Sequence, residues 1–444
     1  MATDQQRELD VATARDLDYA LQHNQKRHRL GYAAALLCVV APMVIDMMTE
    51  VEKECDERIR KAMVHSSKKR LSRRHVPLPV VSNWRVFLNS GDDSDSAWFH
   101  EVALPKQSFY ELVQEIENDW NELPIIAHNG DRVIGKPRPA DVKRRRLNCR
   151  DTVALTLRFI AYPDSRSSIG KEFGILENDA TRYAYFGIFL FRRVLSQHPN
   201  SKIDWPCHNA DYVERQCRRI RNDTPALANV YNIKPIGWID GVRFVIHDKW
   251  SRPKEHKGDK SNEKKKTLRK LILITDSDGR VVAAGLNTPG SWHDSKATRV
   301  TGLYDLIDSR VPDGYCILSD TAFRGSLLNS KVIKILKPGQ NIPQGWTHEE
   351  YGDLEECIIH ARQPSEQGNN TFVQAFPRIR QTLSIFDDTN SDLMEATLLV
   401  HNWRVATSDR NQVKKIFDEL EKKAKEFGVA VEEGLDALLQ DEDE

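Results

Sequence analysis

The chain has 444 residues, of which 40% are hydrophobic and 29% charged, a composition typical of a soluble protein with two or three domains. Its 65 basic and 65 acidic side chains give a net charge of zero, so overall charge neither indicates nor excludes nucleic-acid binding. The seven cysteines are scattered and include no C-x-x-C pair, which argues against a disulfide framework or a zinc finger and favours a reducing compartment.

Hydropathy, prolines and charge divide the chain into four predicted regions. These are an N-terminal helical region with a basic end (1–74), a helical region (75–230), a region of alternating strands and helices (231–408), and a helical, acidic tail (409–444).

In the first region, residues 31–45 are apolar, but this run contains Pro42 and is shorter than the ~20 residues that cross a bilayer. We therefore predict a buried helix here and no membrane association, with a membrane anchor as the alternative. The cluster Lys68–Arg74 has two interpretations, a solvated linker or a patch for nuclear import or phosphate contact.

The second region contains a segment with the rhythm of a helix-turn-helix. Residues 165–173 form a short helix, Gly174 makes a turn, and Asn178 or Asp179 caps a further helix that carries Arg182. In a helix-turn-helix, the start of the second helix enters the major groove of DNA, so we predict that Arg182 contacts DNA. Three packed helices without that role are the alternative.

Two basic runs lie near the middle of the chain. Lys143–Arg146 precede the helix-turn-helix-like segment, and between Arg243 and Lys270 eleven basic side chains outnumber four acidic ones. A charge run is usually a solvated face, although it can also pair with phosphates. We predict that the second run contacts the DNA backbone without reading its sequence, through Lys264, Lys265 and Lys266.

The third region has five predicted strands, at 236–247, 268–275, 280–287, 315–320 and 332–336. An Asp-Gly pair between the second and third strands predicts a hairpin, and Asp276 and Asp278 are interpreted as turn residues without chemistry. The pattern predicts an α/β domain in which an antiparallel meander precedes strands separated by helices.

Four acidic residues stand out in this region. Asp240 lies within an apolar strand, and Asp320 ends another strand. Asp294 follows Gly-Ser-Trp-His, and Glu366 lies where a loop becomes an amphipathic helix. An unpaired carboxylate in an apolar strand is costly, whereas hard Mg²⁺ makes a cluster of carboxylates tolerable. Two such ions clamp the attacking and leaving oxygens of a phosphodiester, so we predict a metal-dependent strand-cleaving site.

The order of these motifs resembles the PIF/Harbinger superfamily of DDE transposases and the nucleases derived from it. The motifs are IDG, GSWHDS, LSDTAFRG, SEQGNN followed by FPRIRQTL, and the closing segment LLVHNWRVATSDRNQV. With the upstream segment FHEVALPKQSFYELVQEI, the similarity runs from Trp84 to Gln412. One context departs from the family: many members have Val-Glu-x-x-Phe-Gly, whereas this chain has Ser365-Glu366-Gln367-Gly368-Asn369-Asn370.

The resemblance implies an RNase H-like catalytic domain that cuts double-stranded DNA at transposon terminal repeats and joins the freed end to a target site. It implies Asp240, Asp320 and Glu366 as catalytic metal ligands, with Asp294 assisting, and Mg²⁺ as the metal, with Mn²⁺ as a substitute. It further implies a Myb-like partner protein. We also expect a nuclear location and a homo-oligomer.

Other activities fit parts of the sequence. A domesticated nuclease would cut DNA without joining it, and a DNA-binding scaffold would retain the acidic residues passively. A phosphatase or another two-metal hydrolase would leave the helix-turn-helix-like segment and the basic run unexplained. A strand-transfer assay separates a transposase from a nuclease, and retained DNA binding without metal binding would indicate a scaffold.

Overall fold

The computed structural model describes residues 81–125, 145–245, 268–325, 330–336, 342, 346–380, 387–423 and 425–426. All of them belong to the second of two units in the chain, Leu78–Glu444. Four predicted features lie outside the described residues: the apolar run 31–45, the cluster Lys68–Arg74, the lysines Lys264, Lys265 and Lys266, and the acidic tail beyond residue 426. Within the described ranges, no helix is both long and apolar enough to cross a bilayer.

Helices account for most of the described residues before the sheet. They are α1 (Asn83–Ser90), α2 (Asp95–Val102), α3 (Lys106–Glu122), α4 (Cys149–Ala161), α5 (Arg166–Phe173), α6 (Glu177–Leu195), α7 (Ala210–Asp223) and α8 (Pro225–Asn229). Short polar side chains begin several of them, because a Ser or Asn oxygen can accept a backbone N–H of the first turn. Asn148, for example, accepts the N–H of Asp151 at 2.8 Å.

The helix-turn-helix-like segment consists of α4, α5 and α6. Gly174 ends α5 in the left-handed conformation, with φ of 70°, as the sequence predicted. The predicted cap of the next helix is wrong, because α6 is preceded by Leu176 and lacks a side-chain cap. Asp179 instead lies in the first turn of α6, where a negative charge complements the helix dipole, and forms an ion pair with Arg146 at 3.0 Å.

A five-stranded mixed sheet follows, as predicted. Its strands are β1 (Pro235–Val245), β2 (Leu268–Thr275), β3 (Val281–Pro289), β4 (Cys316–Ser319) and β5 (Val332–Lys334). Their order across the sheet is β3-β2-β1-β4-β5. The first three strands form an antiparallel meander, while β4 runs parallel to both β1 and β5. The predicted Asp-Gly hairpin joins β2 and β3, with Gly279 at φ of 74°.

The remaining elements pack around this sheet. They are α9 (Asp294–Val300), α10 (Leu303–Arg310), α11 (His348–Ala375), a 3₁₀ turn (Pro377–Arg380), α12 (Asp387–Thr407) and a helix at 412–423. Leu271 and Leu273 of β2 face a core shared with α4, α6 and α12, whereas Ile272 and Ile274 face α7, α9 and α10. Burial on both faces explains why residues 271–274 of β2 are all apolar.

Helix α12 also closes the edge of the sheet. The side-chain amide of Asn402 accepts the N–H of Val281 and donates to its carbonyl, both at 2.8 Å. Because edge strands otherwise present unpaired backbone groups, this amide substitutes for a neighbouring strand at the start of β3. It gives a structural role to the Asn of the closing motif.

The loop predicted before Glu366 is wrong, because this segment belongs to helix α11. Thr347 and Glu350 form a reciprocal capping box at its start, and the helix is 28 residues long and runs through Pro364. A proline disrupts a helix chiefly by disturbing the backbone bond to the preceding turn. Here the indole of Trp238 donates to the carbonyl of Ala361 at 2.6 Å, so packing against β1 supports the helix next to the proline.

The hairpin acids Asp276 and Asp278 lie in the turn, as predicted, and their side chains also hold it together. Asp276 is only 1% exposed and accepts the backbone N–H groups of Asp278 and Arg280 and the hydroxyl of Tyr212. The Asp278 carboxylate forms ion pairs with Arg215 and Arg219. Asp276 is therefore a buried structural group of the turn, and Asp278 is a partly exposed one that two arginines hold.

Candidate active site

Two neighbouring parallel strands bring Asp240 and Asp320 together. β1 pairs with β4 so that Ile239 lies opposite Ser319, and the next residue of each chain segment is one of the two aspartates. Because the strands run in the same direction, both aspartates emerge at the same level of the sheet. They are close enough for the charge of Asp320 to act on Asp240.

Asp240 is half-buried and held from two sides. One carboxylate oxygen accepts the backbone N–H of Gly241, and the other accepts the side-chain amide N–H of Asn369, each at 2.7 Å. Burial raises the pKa of Asp240, and the neighbouring charge of Asp320 adds to that effect. The bond from Gly241, the positive charge of Arg362 and the bond from Asn369 lower this pKa.

Asp320 follows the last residue of β4. Its Oδ1 accepts the backbone N–H of Ala322 at 2.7 Å, which forms a local turn directly after the strand. The turn fixes the direction of the carboxylate at the point where β4 ends. The side chain is partly exposed, so it is accessible to a ligand.

Asp294 lies against Gly241, the residue after Asp240, and already has a partner. It is the first residue of α9, and a Cβ placed on Gly241 would lie 3.4 Å from its carboxylate carbon. Its Oδ1 accepts from Nζ of Lys270 at 2.6 Å, and the Lys270 side chain is 4% exposed. Because its charge is balanced by a buried lysine, Asp294 has less electrostatic need of a cation than Asp240 has.

Glu366 lies on α11 between two residues that act on Asp240. Arg362, Glu366 and Asn369 are spaced at i, i+4 and i+7, so they form one stripe along the helix. Because Asn369 bonds to Asp240, this stripe faces β1. Glu366 itself is exposed.

The donor set is all oxygen and fits a hard divalent cation. Burial disfavours the negative charge of Asp240, and a second carboxylate adds repulsion, so a cation would relieve both effects. In the described part of the chain, no three His, Cys, Asp or Glu side chains are already gathered as ready metal ligands. The two aspartates are therefore already adjacent in the candidate site, and Glu366 would have to approach them to act as a third ligand.

The arginines considered as DNA contacts differ in their exposure to solvent. Arg182 is exposed on α6, as a DNA contact requires. Arg145, from the run before the helix-turn-helix-like segment, instead packs over Trp120 at 4.3 Å and donates to backbone carbonyls. Burial lowers the pKa of Arg145 below its usual value. It is a structural residue, so this part of the run does not offer its charge to phosphates.

Sequence reasoning missed three residues at this site: Arg362, Asn369 and Lys270. The first two share a helical stripe with Glu366, but the stripe is visible only once residues 348–375 are read as one helix. Pro364, Gly368 and the two asparagines made this segment look like a loop. Lys270 was counted as part of the basic run, although its position opposite Arg243 in the sheet places it inside the fold.

Comparison with known families gives one match. Residues 239–402 match the family model described as DDE superfamily endonuclease. The matched segment begins next to Asp240 and ends at Asn402, so it contains all four predicted acids and the amide that closes the sheet. No curated protein and no solved structure matches the chain. The match supports a transposase-like endonuclease domain, and the mixed sheet is consistent with a DDE nuclease fold.

Proposed function

We propose that this chain is a metal-dependent DNA endonuclease of the PIF/Harbinger type, which cleaves DNA at transposon ends and joins the freed end to a target site. The observation that carries the proposal is the pair of carboxylates, Asp240 and Asp320, on adjacent parallel strands inside the matched segment. The strand order, with a meander followed by two parallel strands, supports an RNase H-like catalytic domain.

In this proposal, Asp240 and Asp320 hold Mg²⁺ or Mn²⁺, and Glu366 completes the ligand set. When bound, such ions polarise the phosphodiester and favour formation of a nucleophile at neutral pH. Asn369 keeps the carboxylate of Asp240 oriented through its 2.7 Å hydrogen bond. Asp294 takes an assisting role, because its pairing with Lys270 keeps the start of α9 beside β1.

Double-stranded DNA would also contact the protein away from Asp240 and Asp320. Arg182 on α6 and the lysines Lys264, Lys265 and Lys266 are the proposed contacts, with the lysines binding phosphates in any sequence. A Myb-like partner protein would assist DNA binding and nuclear entry. The proposed location is the nucleus, and the proposed assembly is a homo-oligomer.

Cleavage of double-stranded DNA in Mg²⁺ and in EDTA tests the proposal. Asp240→Asn and Asp320→Asn keep the side-chain shape and remove the charge that holds the metal. Loss of an outer-shell group near a metal typically costs roughly 10–100-fold, so we expect each variant to lose at least about that much cleavage, with DNA binding retained. Asp305→Asn is the matched control, because Asp305 is exposed on α10.

Wild-type cleavage by both variants would refute the proposal. A strand-transfer assay with a labelled DNA end then separates the two active alternatives, since a domesticated nuclease would cut without forming joined product. A wild-type chain that binds DNA but neither binds Mg²⁺ nor cleaves would be a scaffold.

A further inference from the structure

Arg362 is a buried cation that makes no direct polar contact with the residues that the structure describes. Arg362 is only 9% exposed, and its buried Nε has no hydrogen-bond partner. No hydrogen bond or ion pair connects Arg362 to the other residues that the structure describes. Burial of a charge that makes no direct hydrogen bond or ion pair is expensive, so a ligand that supplies oxygen acceptors would stabilise this guanidinium.

The position of Arg362 is fixed by contacts on either side of it. Trp238 of β1 donates to the carbonyl of Ala361 at 2.6 Å, and two helical turns later Asn369 donates to Asp240 at 2.7 Å. Arg362 and Asn369 share the stripe of α11 that faces β1. The positive charge of Arg362 acts on the carboxylate of Asp240, which agrees with this placement.

The chemistry of this position favours an oxyanion. Arg362 would repel a metal ion held by Asp240 and Asp320, so it is not explained by metal binding alone. A phosphate that approaches Asp240 and Asp320 meets two negative charges, and a cation on the same side offsets that repulsion. The planar guanidinium matches the oxygens of a phosphate through paired N–H donors.

We propose that Arg362 binds a phosphate oxygen of the DNA strand that lies against Asp240 and Asp320. This inference rests on the proposed nuclease function and adds a residue that positions the strand. It differs from the roles of the basic run, because Arg362 would act at one phosphate within the site rather than along the backbone.

Binding of a double-stranded oligonucleotide in EDTA, measured by fluorescence anisotropy across a salt series, tests Arg362 apart from metal and cleavage. We expect Arg362→Gln to weaken binding severalfold and to reduce the slope of log affinity against log salt by about 0.9, the value for one lost phosphate contact. Arg362→Lys should keep the slope because it keeps the charge. The exposed Arg85 on α1 gives the control, Arg85→Gln, with an unchanged slope.

A second measurement removes the charge from the DNA instead. A neutral methylphosphonate at the mapped cleavage position should weaken binding by the wild type, and should have little further effect on Arg362→Gln. If the losses of DNA affinity from the methylphosphonate and from Arg362→Gln multiply, the two changes act independently and the proposal is overturned. An unchanged salt slope for Arg362→Gln, in a variant that melts like the wild type, would also overturn it. These outcomes are distinct from failure of the proposed function, which would appear as wild-type cleavage by both Asp240→Asn and Asp320→Asn. If Arg362→Gln does not fold, the methylphosphonate comparison between wild type and Arg362→Lys decides: equal losses support the contact, and no loss in the wild type refutes it.

Discussion

Asn369 is the residue at which this chain departs most informatively from the family that its motifs resemble. Many members have Phe three residues after the Glu, whereas here an amide at that position donates to Asp240 at 2.7 Å. A phenyl ring cannot donate this bond. The amide opposes the effect of burial on the pKa of Asp240 and fixes one of its two oxygens. The unusual sequence around Glu366 therefore has a physical role beside the first aspartate.

Glu366 is the third ligand of the proposed site, and its removal gives a direct prediction. Glu366→Gln keeps the length of the side chain but removes its charge, so we expect cleavage to fall by about 10–100-fold or more and to need a higher Mg²⁺ concentration. The rate of DNA cleavage across a Mg²⁺ titration measures both effects.

Glu356→Gln is the matched control, because Glu356 is exposed on the same helix and lies off the stripe of Arg362 and Asn369. Normal cleavage by Glu366→Gln, together with loss of cleavage by Asp240→Asn, would exclude Glu366 as a ligand. Glu355 could not replace it, since eleven residues of helix separate the two by about 16 Å along the axis.

Asp276 gives a pH-dependent prediction. Burial, with Asp278 adding to it, raises the pKa of Asp276 from 3.8 to about 6. The unfolded chain releases this proton near pH 4 and the folded chain near pH 6, so its contribution to stability is complete below pH 4 and is lost as the pH rises to 6. The difference corresponds to roughly 3 kcal/mol.

Asp276→Asn cannot ionise, while its oxygen can still accept the two backbone N–H groups. We therefore expect the free energy of unfolding of the wild type, relative to this variant, to fall by up to roughly 3 kcal/mol between pH 4 and pH 6. Urea unfolding at a series of pH values measures this. A constant difference across the range would show that Asp276 does not titrate there.

At the level of elements, local sequence predicted the strands better than it predicted α11. The five strands lie within a few residues of their predicted ranges, because β-branched runs and an Asp-Gly turn are local features. The helix around Glu366 depends on a distant contact, the bond from Trp238 to Ala361, which no local pattern contains. For the same reason Asp240 and Asp320 could be identified as candidates, whereas the bond from Asn369 could not.

The crossing of α4 and α6 depends on a glycine. A Cβ placed on Gly187 would lie 1.8 Å from the hydroxyl oxygen of Thr156, so no larger residue fits without movement of a helix. We expect Gly187→Ala to lower the free energy of unfolding by about 1–3 kcal/mol through overpacking. Thermal and urea unfolding measure the change.

Gly352→Ala on α11 is the matched control for this prediction. A Cβ there meets no atom within 4 Å, and alanine favours a helix over glycine, so stability should rise by about 0.5–1 kcal/mol. Thr156→Ala removes the nearest clashing atoms and should recover part of the loss in Gly187→Ala. An unchanged stability of Gly187→Ala would mean that the two helices do not cross this closely.

At the level of the whole molecule, the helices before the sheet and the helices after it share one core. The same cluster contains Trp84 of α1, Leu271 of β2 and Trp403 of α12. Composition and hydropathy indicated two or three domains, but they carry no information on which apolar faces meet. The helix-turn-helix-like segment belongs to this core, with ten buried residues on α6, so any DNA contact there must come from its exposed positions such as Arg182.

The basic run supplies a prediction for the whole DNA-binding surface. Replacement of Lys264, Lys265 and Lys266 by alanine should weaken binding about equally for all DNA sequences. It should also reduce the salt slope by about 0.9 for each lost phosphate contact. Anisotropy with two unrelated oligonucleotides measures both effects, and an unchanged slope would show that these lysines face solvent without touching phosphates.

The closure of the sheet by α12 has a consequence for synthesis of the protein on the ribosome. Asn402 completes the edge at Val281, and the adjacent Trp403 donates to the carbonyl of Ser108, 295 residues earlier in the chain. At about 5–20 residues per second, the ribosome needs roughly 15 to 60 s to make the chain between these partners. Asp240 and Asp320 are both made before Asn402, so the nascent chain carries the proposed catalytic pair while the edge of the sheet at β3 is still unsealed. The proposed site therefore rests on a completed sheet only after α12 has emerged from the ribosome.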